Sequence, residues 1–166
     1  MIPHLCPDLP EAQKQNLAYG SKVPFTSANV VLKTSAPVRK SGASLYVCAD
    51  SYFELVTNAP PVNLGAYTVS IKPDDPMVLY MLHMPAPEGD GKQSGRDLCR
   101  LGRHNIMATS FADYEREIRH QPIGTFGEAG FDAERDIEAI TINRWFNCYA
   151  YEIMDIHDTR WGPGQA

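Results

Sequence analysis

Four aromatic side chains fall within a short stretch near the end of the chain, at Trp145, Phe146, Tyr149 and Tyr151, directly after a strand-like run. Rings in that position can wall a pocket for a cationic or planar ligand, because the face of an aromatic ring carries partial negative charge. The same rings can close the edge of a core. Other chemistry-bearing residues are more dispersed. Gly89, Gly91 and Gly95 stand between an apolar run and a helical stretch, the setting of a dinucleotide loop. Their spacing is GxGxxxG rather than GxGxxG, and Pro85 and Pro87 separate them from the strand. A dinucleotide loop needs its first glycine at the strand's end, so that the pyrophosphate meets the helix N-terminus. The glycines therefore read as a connector. The patterns GxxxxGK[ST], GxSxG and HExxH are absent. His4 with Cys6, and Cys99 with His104, lack the second pair that a closed zinc site requires. Cys6, Cys48, Cys99 and Cys148 are widely spaced and read as buried or inert thiols. The carboxylates of Glu115, Glu117, Asp132, Glu134, Asp136 and Glu138 lie among Arg116, Arg119 and Arg135, as locally paired surface charge does.

The elements that must position these residues follow from pattern. A first helix is expected from Asp8, as its cap, to Gly20, with Glu11 at the capping-box spacing. Lys22 to Leu32 reads as a strand whose start Pro24 confines to an edge or a bulge. Residues 44–49 alternate, with Leu45, Val47 and Ala49 on one face and Tyr46 and Cys48 on the other. Residues 50–70 read as a long loop with one short strand around 66–70. Met77 to Met84 is an apolar run expected to be a central strand covered on both faces. Residues 94–108 are helical in composition. A further helix starts at Ser110, with Asp113 at the capping-box spacing and Phe111, Tyr114 and Ile118 as its apolar stripe, and Pro122 should stop or kink it. Asp136 to Trp145 is the last strand. The sum is an α+β domain with a mixed, largely antiparallel sheet of about five strands flanked by helices.

Composition narrows the function classes. The chain has 166 residues, 43% of them apolar and 21% charged, the balance of one globular domain. A net charge of -5 argues against a nucleic-acid surface. No apolar run is long enough to span a bilayer, and the first residues lack the basic-then-apolar order of a signal peptide. The expectation is a soluble protein, cytoplasmic or periplasmic, with no membrane span.

Three stretches then point to a family: MIPHLCPDLPEAQKQNLAYGSKVPFTSANVVL at the start, TSFADYEREIRHQ in the middle, and GFDAERDIEAITINRWFNCYAYE near the end. With the order of elements between them, residues 1–155 resemble the substrate-domain portion of the FAD-dependent amine oxidase superfamily, closest to bacterial spermidine dehydrogenase-like proteins. The resemblance implies an oxidoreductase that takes a hydride from the carbon beside an amine nitrogen. It also implies a longer, two-domain flavoprotein, of which this chain is a fragment or one subunit, with residues 156–166 an unstructured tail at a truncation.

Residue by residue, Lys22 matches the family lysine that holds a water against the flavin ring, and Tyr149 the tyrosine that walls the amine's aromatic cage. Trp145 resembles the tryptophan that packs beside the flavin edge. Cys148 falls where monoamine oxidases attach flavin covalently. Two positions depart from the family: the aromatic usual around residues 35–38 is missing, and Asn147-Cys148 stands where relatives carry His-Gly. The implied cofactor is FAD, bound by a separate flavin-binding domain or subunit, and the implied ligand is an amine, a polyamine such as spermidine foremost. A non-catalytic ligand-binding or assembly module is the alternative, and whether this chain itself takes part in catalysis stays open at this point.

Overall fold

The computed structural model describes residues 2–20, 22–69, 72, 74–85, 87 and 89–150, with the side chains of Pro3, Tyr19, Tyr149 and Ala150 outside the description. The chain opens with helices α1 (Ile2–Leu5) and α2 (Glu11–Tyr19). Pro10, not Asp8, occupies the α2 N-cap, and no side chain caps it; Gly20 closes the helix as expected, its N–H reaching Asn16 O at 3.1 Å. Strand β1 (Lys22–Leu32) follows, then α3 (Ala36–Lys40), β2 (Leu45–Val47), β3 (Leu55–Asn58) and β4 (Met77–His83). Helices α4 (Gly95–Ala108) and α5 (Phe111–Phe126), a 3-10 turn at Gly127–Ala129, and α6 (Ala133–Asp136) lead to the last strand, β5 (Ile137–Ala150).

The strands form one sheet in the order β2-β3-β4-β1-β5, antiparallel at every pairing. An α+β fold results. Hydrophobic alternation decides its faces. Ala28, Val30 and Leu32 of β1, Leu79 and Met81 of β4 and Val56 of β3 point to one side and are buried. Against them pack Tyr114, Ile118 and Phe126 of α5, one and then two helical turns apart, and Ile106 of α4 is buried as well. Fully burying a Val, Leu, Ile, Phe or Met side chain among them contributes about 1.5–3 kcal/mol.

Several expectations are corrected here. β4 is central but fully covered on one face only: Leu79 and Met81 are buried, while Val78, Tyr80 and Leu82 on the other face are half-buried. The alternation of β2 does not choose a face: the one toward the core is that of Tyr46 and Cys48, whereas Leu45 and Val47 are 54% and 78% exposed. The strand between residues 50 and 70 is β3, not 66–70, where the described residues form a single bridge from Leu64 to Tyr67. Pro122 does not end α5, which continues to Phe126. Its ring is buried in the same stripe as Ile118 and Phe126, and that packing offsets the lost helical hydrogen bond. Pro24, by contrast, sits at a bulge as its residue type requires: Val23 pairs with Tyr149, but Phe25 pairs with Trp145, so β5 carries extra residues opposite the proline.

Candidate functional site

The pairing of β1 with β5 decides where the residues singled out in the sequence lie. Lys22 begins β1 as an exposed residue opposite Ala150, and its neighbour Val23 lies opposite Tyr149. Lys22 and the Tyr149 backbone are therefore adjacent although 127 positions apart. Trp145 lies opposite Phe25 and is 54% exposed. Cys148 is a half-buried free thiol. The Lys22 carbonyl accepts a hydrogen bond from Arg103 Nη2 at 2.8 Å, which ties the start of β1 to α4. Tyr151 and residues 156–166 lie outside the described residues.

The glycines after β4 are held by their own neighbours. Asp90 N–H donates to Gln93 Oε1 at 2.9 Å, Lys92 N–H donates to Asp90 Oδ1 at 3.0 Å, and a Cβ at Gly89 would lie 2.8 Å from Gln93 Oε1. The strand before them sits between antiparallel neighbours, not in a βαβ unit. These glycines do not form a pyrophosphate cradle. Among the described residues no group of three or more His, Cys, Asp or Glu is placed to hold a metal ion.

A second set of side chains comes together at the same end of the sheet. A cleft of about 520 Å³ opens where β3 and β4 meet the α4–α5 junction, and Tyr52, Glu54, His83, Asn105, Thr109 and Asp113 line it. His83 closes β4 opposite Thr26 and shares a 3.0 Å hydrogen bond between its Nδ1 and Glu54 Oε1. The other carboxylate oxygen of Glu54 accepts from Met84 N–H at 3.2 Å. The Tyr52 ring stacks on the His83 imidazole with centroids 4.3 Å apart. Gln121 of α5 fixes the segment that carries Tyr52 and Glu54: its Oε1 accepts from Phe53 N–H at 3.0 Å and its Nε2 donates to Phe53 O at 2.8 Å. Phe53 itself is buried in the core.

Electrostatics sharpen these roles. Burial, and then the neighbouring Tyr114, push the Tyr52 phenol well above its usual range, so it stays protonated. Burial pushes Glu54 up, but hydrogen bonds from His83 and from backbone N–H groups outweigh it and leave the carboxyl below its usual range. Asp113 is lowered by the Ser110 hydroxyl and then by Arg116.

None of Tyr52, Glu54 and His83 stands out in the sequence. His83 is the polar interruption of the run MVLYMLHM, and that was the one visible signal. Asp113 is legible only as a capping residue, which it also is: Ser110 and Asp113 form a complete capping box. No protein-family model matches the chain, and no curated protein matches it either.

Proposed function

We propose that the chain is the amine-binding part of a flavin-dependent oxidoreductase acting on amines, polyamines such as spermidine among them. On this reading FAD is held by a separate flavin-binding domain or subunit, and this chain supplies the groups that face it. The observation that carries the reading is the β1–β5 pairing, which makes neighbours of Lys22 and the Tyr149 backbone and sets Trp145 opposite Phe25. The exposed ammonium of Lys22 suits the ordering of a water beside a ring on which charge develops. The exposed Trp145 ring suits a planar neighbour.

The test is anaerobic mixing of spermidine with the flavin-bearing complex that contains this chain, read as loss of flavin absorbance. Bleaching is expected, and Lys22→Met should slow it by about 100-fold, roughly 2.7 kcal/mol, with little change in amine affinity. A flavin that stays oxidised in the presence of bound amine would sink the oxidoreductase reading and favour a non-catalytic binding module. Equal effects of Lys22→Met on rate and affinity would remove the role given to Lys22.

A further inference from the structure

The cleft beside α4 carries charges that the strand-end residues do not use. Glu54, ionised at neutral pH, can only accept, so His83 Nδ1 donates the 3.0 Å hydrogen bond between them. A neutral imidazole with its proton on Nδ1 presents a lone pair on Nε2. Among the described residues Nε2 meets no hydrogen-bond partner, and the His83 side chain keeps 16% of its surface open. Stacking on Tyr52 and the Glu54 hydrogen bond hold the ring in that orientation.

The surroundings favour a cation over an anion. Two carboxylates and no lysine or arginine line the cleft. The C-terminal end of α4 reaches it through Asn105, Ala108 and Thr109; Arg144 of β5 donates to the Ile106 carbonyl of that last turn at 3.4 Å, so the pull on a cation comes from the carboxylates and not from the helix end. The N-terminus of α5 is also present there, but its capping box already binds the Ser110 and Asp113 amides. The Asp113 carboxylate at that terminus opposes the approach of an anion. Asp113 is itself engaged by Ser110 and Arg116, so the unspent acceptor is His83 Nε2, with Glu54 behind it.

We propose that this cleft is a binding site for a small ligand bearing a protonated amine, whose N–H groups are accepted by His83 Nε2 and by the remaining lone pairs of Glu54. The site goes beyond the oxidoreductase reading: its argument uses no flavin and none of Lys22, Trp145, Cys148 or Tyr149. Binding needs no bond to be made or broken. The imidazole keeps the Nδ1 proton shared with Glu54, and the carboxylate balances the ligand's positive charge.

The experiment is a nuclear magnetic resonance titration of the whole chain with putrescine, and in parallel with succinate, a dianion of similar length. Putrescine is expected to shift the His83 ring signals and the Tyr52 and Thr109 amides in a saturable way, and succinate is expected not to. Glu54→Gln should weaken binding at least tenfold, because a neutral amide supplies no countercharge. The wild-type titration decides the matter even if that variant fails to fold. Saturable shifts with succinate and none with putrescine would overturn the proposal, as would putrescine shifts confined to Lys22 and Trp145. That last result would leave the oxidoreductase reading intact. Cleft binding together with an unbleached flavin would instead remove the oxidoreductase reading and leave the cleft site standing.

Discussion

Asp136 shows how much a single side chain depends on its neighbours. The carboxylates of residues 113–138 are mostly surface groups paired with arginine, as Glu115 is with Arg119 at 2.8 Å. Asp136 differs, being 2% exposed. It accepts from Arg135 Nε and Nη2, both at 2.7 Å, and from Asp132 N–H at 2.9 Å. The Arg135 guanidinium holds its pKa below the usual carboxylate range. Asp136→Asn should therefore cost about 2 kcal/mol at neutral pH, the size of a charge-assisted hydrogen bond. Because the folded pKa is depressed, this stabilisation is present above the pKa of the unfolded chain and is lost as pH falls through the folded value. The gap in melting temperature between wild type and variant should be wide at pH 7 and should close as the solution is acidified into the carboxylate range. A gap of constant width would assign the effect to packing instead of charge.

At the scale of elements, α4 is the joint between the sheet and both candidate sites. It donates Arg103 to the Lys22 carbonyl and supplies one wall of the cleft. Its seat on β1 and on the segment just past β4 depends on a missing side chain. A Cβ at Gly102 would lie 1.8 Å from Pro85 O and 3.0 Å from Pro24 Cγ. Gly102→Ala must push the helix off the sheet, and we expect a clear fall in melting temperature together with disturbed cleft signals. Gly124, inside α5, meets nothing within 4 Å. There alanine should stabilise by about 0.5–1 kcal/mol, since it removes only backbone freedom from the unfolded chain. Chemical denaturation of the two variants compares them directly. Equal effects of the same sign would show that α4 is not seated through Gly102.

For the whole molecule, the decisive feature is a sheet packed by α4 and α5 on one side. On the other side the register aligns Leu45 with Thr57 and Tyr80, and Val47 with Leu55 and Leu82. Leu45 and Val47 are largely exposed there, and Trp145 at the far edge is 54% exposed. Exposed apolar side chains on an edge strand such as β2 promote association. The chain on its own should bind an apolar-surface dye and should elute larger than a monomer as its concentration rises. Replacing Leu45 and Val47 by lysine should lower both signals with little change in melting temperature. Dye binding that survives those replacements would place the exposed surface elsewhere. No helix among the described residues is long and apolar enough to cross a membrane.

Local chemistry made some of this molecule legible in advance. The bounds of β1 follow from its β-branched run after Gly20, and α5 begins where Ser110 and Asp113 can exchange hydrogen bonds. Such signals act over a few residues and survive in any context. β3 was hidden because four residues, LVTN, carry too little pattern to stand out from a loop. Pro122 does not stop α5 because the cost of proline in a helix is local, while the burial that offsets it is tertiary. The apolar run of β4 could not say which of its faces would be covered, since both are apolar and only the positions of α4 and α5 decide. Glu54 and His83 became partners through the β3–β4 pairing that sets Leu55 opposite Leu82. Lys22 and the Tyr149 backbone became neighbours because β5 returns along β1. The sequence by itself determined the elements whose causes are local. Only the tertiary structure decided which distant side chains share a cleft, because strand order and register arise from the packing of the whole core.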